Sequence, residues 1–163
     1  IWAYGNRNPQ GLAIHPITRN IWEAEHGPRG GDELNIIYKG HNYGWPVITY
    51  GEEYGGGAVS NLSEKEGMEQ PVVYWVPSIA PSGMTFYTGN KFPKWNGNLF
   101  VGALRGAHLR RITLENGKVT DQEELLSNLD ERIRDVRNGP DGYLYIITDS
   151  SNGRLIRLEP ALD

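Results

Sequence analysis

One unit recurs three times in this chain: a strand, a polar turn, and a second strand rich in aromatic and branched residues. Leu12–Pro16 turns through Thr18-Arg19-Asn20 into Ile21–Glu25. Met84–Tyr87 turns through Asn96-Gly97-Asn98 into Leu99–Gly102, and Ile133–Val136 turns at Pro140-Asp141-Gly142 into Tyr143–Ile147. Each pair then meets a further strand, Glu33–Ile37, His108–Ile112 or Arg154–Leu158. Alternation with turn residues at fixed offsets is the mark of antiparallel hairpins. Leu144 stands 45 positions after Leu99, and Leu155 stands 46 after Leu109. That interval is one propeller blade, whereas a sandwich of hairpins requires no such repeat. The pattern predicts an all-β chain: a β-propeller of about three blades, with residues 1–163 forming a single partial domain.

Composition supports many short strands. The chain holds 21 Gly, 10 Pro, 9 Tyr and 5 Trp with only 38% hydrophobic residues; Gly and Pro punctuate turns, and aromatics suit half-buried pleated surfaces. A net charge of −4 argues against a nucleic-acid partner, which needs a concentrated basic face. No Cys is present, which excludes disulfides and thiolate metal sites. No apolar run reaches the length of a membrane span. The first repeat interval is stretched by residues 41–71, which insert a Gly-rich loop from Tyr50 to Gly57 and a polar stretch from Ser60 to Glu69. Asp121–Leu129 is the one segment with weak helical character. Three blades cannot close a ring, so a missing N-terminal half or a second copy is expected to cover the open faces.

Candidate chemistry lies near strand ends. Arg7 offers a planar fork suited to carboxylates, with Asn8 and Gln10 beside it. Glu25-His26-Gly27-Pro28-Arg29-Gly30-Gly31-Asp32-Glu33 combines a Gly-Pro turn with an acidic pair. Hard cations such as calcium take carbonyl and carboxylate oxygens, yet an exposed hairpin loop accounts for the same residues. Arg105, Arg132 and Arg134 recur near later strand ends, and period two puts the last two on one face. Together with Arg7 they suggest an anion pocket; ordinary surface charge is the competing account. Among histidines, His15 and His41 suit turns, His108 suits an exposed strand position, and His26 is the best site candidate.

Arg7-Asn8-Pro9-Gln10-Gly11-Leu12-Ala13, Glu25-His26-Gly27-Pro28, Asp32-Glu33-Leu34-Asn35 and Asn42-Tyr43-Gly44-Trp45-Pro46 appear in that order. Pro77–Gly83, Arg132–Val136 and Pro140-Asp141-Gly142 follow. The ordered set resembles the soluble PQQ-dependent aldose sugar dehydrogenases of the glucose/sorbosone dehydrogenase family. The resemblance implies a six-bladed ring of which this chain is roughly blades four to six. It implies PQQ contacts from Arg7, Asn8, His26, Ser78, Arg105, Arg132 and Arg134. It implies a catalytic calcium on the Gly27 and Pro28 carbonyls, and a structural calcium on Glu33 and the Tyr43 carbonyl. Arg105 departs from a lysine, and His26 from a glutamine, in the glucose dehydrogenase branch.

The activity implied is oxidation of an aldose sugar to a lactone. Calcium polarises the quinone, a histidine base takes the sugar proton, hydride goes to the quinone, and an external electron acceptor reoxidises it. That base belongs to the family's N-terminal half, so no catalytic residue is expected here and the chain alone is expected to be inactive. A periplasmic or secreted location goes with the family. A calcium-stabilised propeller that binds without redox chemistry is the alternative, and a propeller lactonase ranks third.

Overall fold

The computed structural model describes residues 1–161 and is all-β apart from two short 3₁₀ turns. Eleven strands form three antiparallel sheets in strict sequence order. The first sheet is β1 (Pro9–Ile14), β2 (Ile21–Glu25), β3 (Asp32–Ile37) and β4 (Val73–Trp75). The second is β5 (Pro81–Phe86), β6 (Leu99–Ala103), β7 (His108–Glu115) and β8 (Lys118–Leu125). The third is β9 (Ile133–Asn138), β10 (Leu144–Thr148) and β11 (Leu155–Leu158). Each sheet is a meander whose first strand packs against its counterpart in the next sheet, β1 on β5 and β5 on β9. That is the radial repetition of a propeller: three blades side by side, each repeat folding as one sheet.

Two apolar seams hold the blades together. Trp22, Ala24 and Leu34 of the first sheet meet Met84, Phe86, Leu99, Val101 and Ile112 of the second. Phe100, Leu109, Ile133, Val136, Leu144 and Ile146 fill the seam between the second and third. Strand alternation sends Leu99 and Val101 to one seam and Phe100 to the other, so β6 is buried along its whole length. Polar ties cross the same seams. Asn138 Nδ2 donates to the Phe86 carbonyl at 2.7 Å, Ser82 Oγ to the Ile133 carbonyl at 2.6 Å, and Trp75 Nε1 to Gln122 Oε1 at 2.9 Å.

Two sequence expectations are corrected here. Asp121–Leu129 is not helical: Lys118–Leu125 is a full strand paired with β7, and only Ser127–Leu129 makes a 3₁₀ turn. Its acidic residues face the cations of β7 across the ladder, with Arg110 opposite Glu124 and Arg111 opposite Glu123, so pairing overrides helical propensity. His108 is buried, not exposed; its Nδ1 sits 2.9 Å from the Gly106 carbonyl, and burial lowers its pKa. The charged neighbours Arg110 and Arg111 suggested exposure, whereas their heads pair with Glu124 and Glu123 of β8.

Candidate cofactor cleft and cation pocket

The antiparallel meander brings to one end of the sheets every connection that carries a candidate residue except the excursion 41–71 with Tyr43, which leaves β3 at the other end. The segments before β1, between β2 and β3, between β4 and β5, between β6 and β7, and before β9 all lie there. Arg7, Gly27, Pro28, Ser78, Arg105 and Arg132 share this mouth. The β1–β2 and β5–β6 ladders are irregular here, with register shifts at Pro9/Gly11 and Pro81/Met84 that re-aim the chain beside a site.

A cleft of about 310 Å³ opens at the mouth between the first two sheets. His26, Gly27, Pro28, Ser78 and Arg105 line it, joined by Arg29, Asp32 and Tyr54. The loop that shapes it is knotted around Asp32, which is buried. Its Oδ1 accepts from the Gly27 amide at 3.0 Å and Ser78 Oγ at 2.9 Å, and its Oδ2 from the Ala80 amide at 2.8 Å. Ser78 Oγ also accepts from the Gly30 amide at 3.1 Å. Only glycine fits position 27, where a Cβ would stand 2.2 Å from the Gly30 carbonyl oxygen. Asp32 is therefore spent on the loop, and among the described residues neither Arg29 nor Arg105 makes an ion pair. The cleft is thus net cationic, open and bordered by free guanidinium groups. Tyr54 and Arg29 were missed by sequence reasoning. Tyr54 arrives from the Gly-rich loop, and the Arg29–Glu52 backbone pair (2.9 and 3.0 Å) pins that loop to the mouth.

Arg7 stands on the other side of the Gly27 turn. Its Nη1 donates to the Gly27 carbonyl at 2.8 Å and the His26 carbonyl at 3.1 Å, and its guanidinium lies 5.0 Å from the Trp45 ring centre. The Arg7 and Asn8 amides both donate to Glu25 Oε2, the latter at 3.0 Å, and Asn8 Oδ1 accepts from Gln10. His26 Nε2 donates to the Pro81 carbonyl at 2.7 Å, which fixes the ring between the sheets. Arg132 and Arg134 reach a shared partner, Asp149 Oδ2, at 2.9 and 2.6 Å, as their common face predicts. They line neither of the two hollows at this mouth.

Behind Arg7 lies the second hollow, about 10 Å³, enough for one water-sized or ion-sized occupant. Glu25, Glu33 and Tyr43 line it, with Gly27 and Gly31. The excursion 41–71 forms its roof by folding back over β2 and β3, held by Tyr43 Oη donating to the Ile36 carbonyl at 2.7 Å. On that face Glu25 pairs directly with Glu33, and Glu23 with Asn35. The Asn35 amide donates to all three carboxylates at 3.3–3.4 Å, and Asn6 to two. Burial first, then the charge of Glu25, pushes Glu23 up to about 9 and Glu33 up to about 7. Burial also raises Glu25, opposed by the amides it accepts from. Glu23 Oε1 and Asn35 Oδ1 are buried with no partner among the described residues. Crowded carboxylates, Glu25 and Glu33 on the hollow and Glu23 with one orphaned oxygen beside them, fit a hard divalent cation. Among the described residues no three acidic or imidazole side chains converge as a ready-made ligand set, so such an ion would lean on backbone carbonyls.

The model of the glucose/sorbosone dehydrogenase family matches residues 1–157. The chain belongs to the glucose/sorbosone dehydrogenase family. It is 49% identical over 162 residues to the aldose sugar dehydrogenase YliI of Escherichia coli, covering 98% of this chain and 44% of that protein. A crystal structure of a glucose dehydrogenase superposes with a TM-score of 0.96 at 52% identity, covering 99% of this chain and 47% of that one. The PQQ-bound form of the aldose sugar dehydrogenase from Streptomyces coelicolor gives a TM-score of 0.73 at 31% identity, over 98% of this chain and 45% of that one. The chain therefore spans about half the length of the relatives it matches. Among the described residues no helix is long and apolar enough to cross a membrane.

Proposed function

We propose that this chain contributes blades four to six of a six-bladed PQQ- and calcium-dependent dehydrogenase that oxidises aldose sugars to lactones. The observation that carries the reading is the meeting, in one open cleft, of the unpaired Arg105 with the Gly27–Pro28 turn. A guanidinium without a carboxylate suits a polycarboxylate cofactor, and the turn offers carbonyl oxygens beside it. When bound, calcium and PQQ would supply a polarised quinone carbonyl that accepts hydride.

The residues present would act by holding and orienting. Arg105 and Arg29 would grip cofactor carboxylates, with Asn8, Ser78, Arg132 and Arg134 completing the set the family resemblance implies. The Gly27 and Pro28 carbonyls would hold the metal. Arg7 holds the Gly27 carbonyl oxygen in place by donating to it, and Asp32 prevents the turn from relaxing. His26, locked on Pro81, borders the same space. Glu33 and the Tyr43 carbonyl would hold a second, structural calcium under the mouth. Proton abstraction from the sugar falls to a histidine in the family's other half, and electrons pass to an external acceptor outside the cell's inner compartment, in the periplasm or medium.

Full-length protein mixed with PQQ and calcium is expected to shift the quinone absorbance, and chelation to reverse it. Arg105→Glu is expected to weaken that binding by about tenfold or more. The 163-residue chain by itself is expected to oxidise little or no aldose in a dye-coupled assay. Quinone uptake indifferent to both metal and Arg105 favours the second reading, a calcium-stabilised binding module, for which the carboxylate-lined pocket alone is sufficient. Appreciable sugar oxidation by the isolated chain contradicts the placement of the base elsewhere.

A further inference from the structure

The excursion 41–71 sends one side chain to the cofactor cleft, on a small hairpin with an anchored base and a bare tip. At the base, Tyr50 stacks on Tyr74 of β4 with ring centres 3.8 Å apart, and its hydroxyl donates to Gln70 Oε1 at 2.6 Å. The Gly51 amide donates to Thr49 Oγ1 at 3.1 Å, and Glu52 is bridged both to Arg29 and to Ala58. The tip closes on itself. The Glu53 amide donates to the Gly57 carbonyl at 2.9 Å, and the Gly56 amide to the Glu53 carbonyl at 3.0 Å. A Cβ added at Gly55, Gly56 or Gly57 would meet nothing within 4 Å. The hairpin is tied down where it leaves the sheet and touches nothing where it ends. Tyr54 is its one residue that lines the cleft.

The cleft divides into a floor and a rim. Gly27, Pro28 and Asp32 are buried, and His26, Ser78 and Ala80 are half-buried; Arg29, Tyr54 and Arg105 are exposed. Under the dehydrogenase reading the metal takes the Gly27–Pro28 turn and the cofactor carboxylates take the two guanidinium groups. A substrate arriving from solvent then meets the remaining rim residue, Tyr54, which carries no charge and is 72% exposed. Among the described residues Tyr54 is also the only phenol or phenyl ring that borders the cleft. An aldose is neutral, with hydroxyls around its edge and C–H bonds on its faces. A flat ring ending in a hydroxyl matches both features, because its face is apolar and its tip donates and accepts. Covering so exposed a ring removes apolar surface from water and so favours binding.

We propose, resting on that dehydrogenase reading, that Tyr54 is a specificity-determining residue that stacks on the C–H face of the aldose at the solvent side of the cleft. The anchored base gives the ring a fixed place at the mouth, through the Arg29–Glu52 pairing beside the Gly27–Pro28 turn. The bare glycine tip gives it room to settle on pyranoses of different substitution, since Gly56 and Gly57 hold φ values of +88° and +99° that other residues resist.

The test uses full-length protein loaded with PQQ and calcium. Tyr54→Ala is expected to raise the KM for glucose about tenfold while kcat falls less than about threefold, the pattern of lost substrate binding. Tyr54→Phe keeps the ring and is expected to hold KM within about threefold of the parent. Calorimetric titration with 1,5-anhydroglucitol, a pyranose without the oxidisable anomeric hydroxyl, should give the same order of affinities with no turnover. The side chain is exposed, so Tyr54→Ala is expected to keep the parent's melting temperature and its affinity for PQQ. Unchanged KM and unchanged anhydroglucitol affinity in Tyr54→Ala overturn the inference alone. Weakened PQQ affinity at unchanged KM also overturns it, giving the ring to the cofactor. Unsubstituted protein that takes up PQQ yet oxidises no aldose overturns the dehydrogenase reading and the inference together.

Discussion

The two faces of the β2–β3 hairpin are both buried, and they are built on opposite principles. One face carries Trp22, Ala24 and Leu34 into the seam with the second sheet, where apolar contact needs no partner but shape. The other carries Glu23, Glu25, Glu33 and Asn35 under the 41–71 excursion, where three carboxylates compete for two amide groups. A sheet can afford such a face only if something other than packing stabilises it. Like charges opposed across a ladder repel, and buried carboxylates answer by holding their protons or by recruiting a cation. The apolar face makes the fold; the polar face places the mouth of the fold beside a charge-hungry pocket.

The sharpest way to separate the faces is to truncate each. Trp22→Ala is expected to cost roughly 3–5 kcal/mol, the range for a buried aromatic, and to show in urea denaturation as a collapsed midpoint. An unchanged midpoint would mean that the seam is not the core. Calcium should act on the other face alone. Saturating calcium at a hundredfold over its dissociation constant is expected to stabilise by about 2.7 kcal/mol, seen as a higher melting temperature. Glu33→Gln should remove most of that gain, and a calcium effect insensitive to Glu33 would place the ion elsewhere.

Without metal, pH should divide the faces as well. In the unfolded chain Glu23 ionises near 4.5, whereas folded it keeps its proton to about 9, and Glu33 to about 7. Between those limits the folded state binds more protons. The stability these groups contribute is therefore whole below about 4.5 and declines as pH rises through the window. Thermal melts from pH 5 to 9 should track that fall, and Glu23→Gln should flatten it; a melting temperature that rises over this range refutes the assignment. The smallest effect is expected far from both faces. Glu124→Ala removes the partly exposed pair with Arg110 and should cost under about 1 kcal/mol in the same melts. A larger loss would reveal that the pair orders β8, the strand whose acidic run reads locally as helix.

Much of this was legible in the chain itself. Period-two alternation and the turn residues between Ile14 and Ile21, or Asn138 and Leu144, specified hairpins, because strand pairing is local and turn chemistry is written in a few residues. The blade interval followed for the same reason. The sequence order Gly27, Pro28, Asp32 marked a turn but left open whether it was a cation site or an exposed hairpin loop; the contact that only Gly tolerates at position 27 is a tertiary one. What adjacency in the chain could not reveal was which groups share one space. Asp32 reads as an exposed acid yet is the buried knot that holds Ser78 and Ala80, 46 and 48 residues away. Tyr54 reaches the cleft only because the excursion folds back across a sheet, and His108 is buried at the end of the β6–β7 ladder although charged residues follow it in the chain. Arg105 is left unpaired by the tertiary structure, while Arg132 and Arg134, alike in sequence, are given Asp149. Short-range rules set the strands and turns by the chain's own stereochemistry; long-range packing alone decided the distances between charges, and with them the chemistry the mouth can perform.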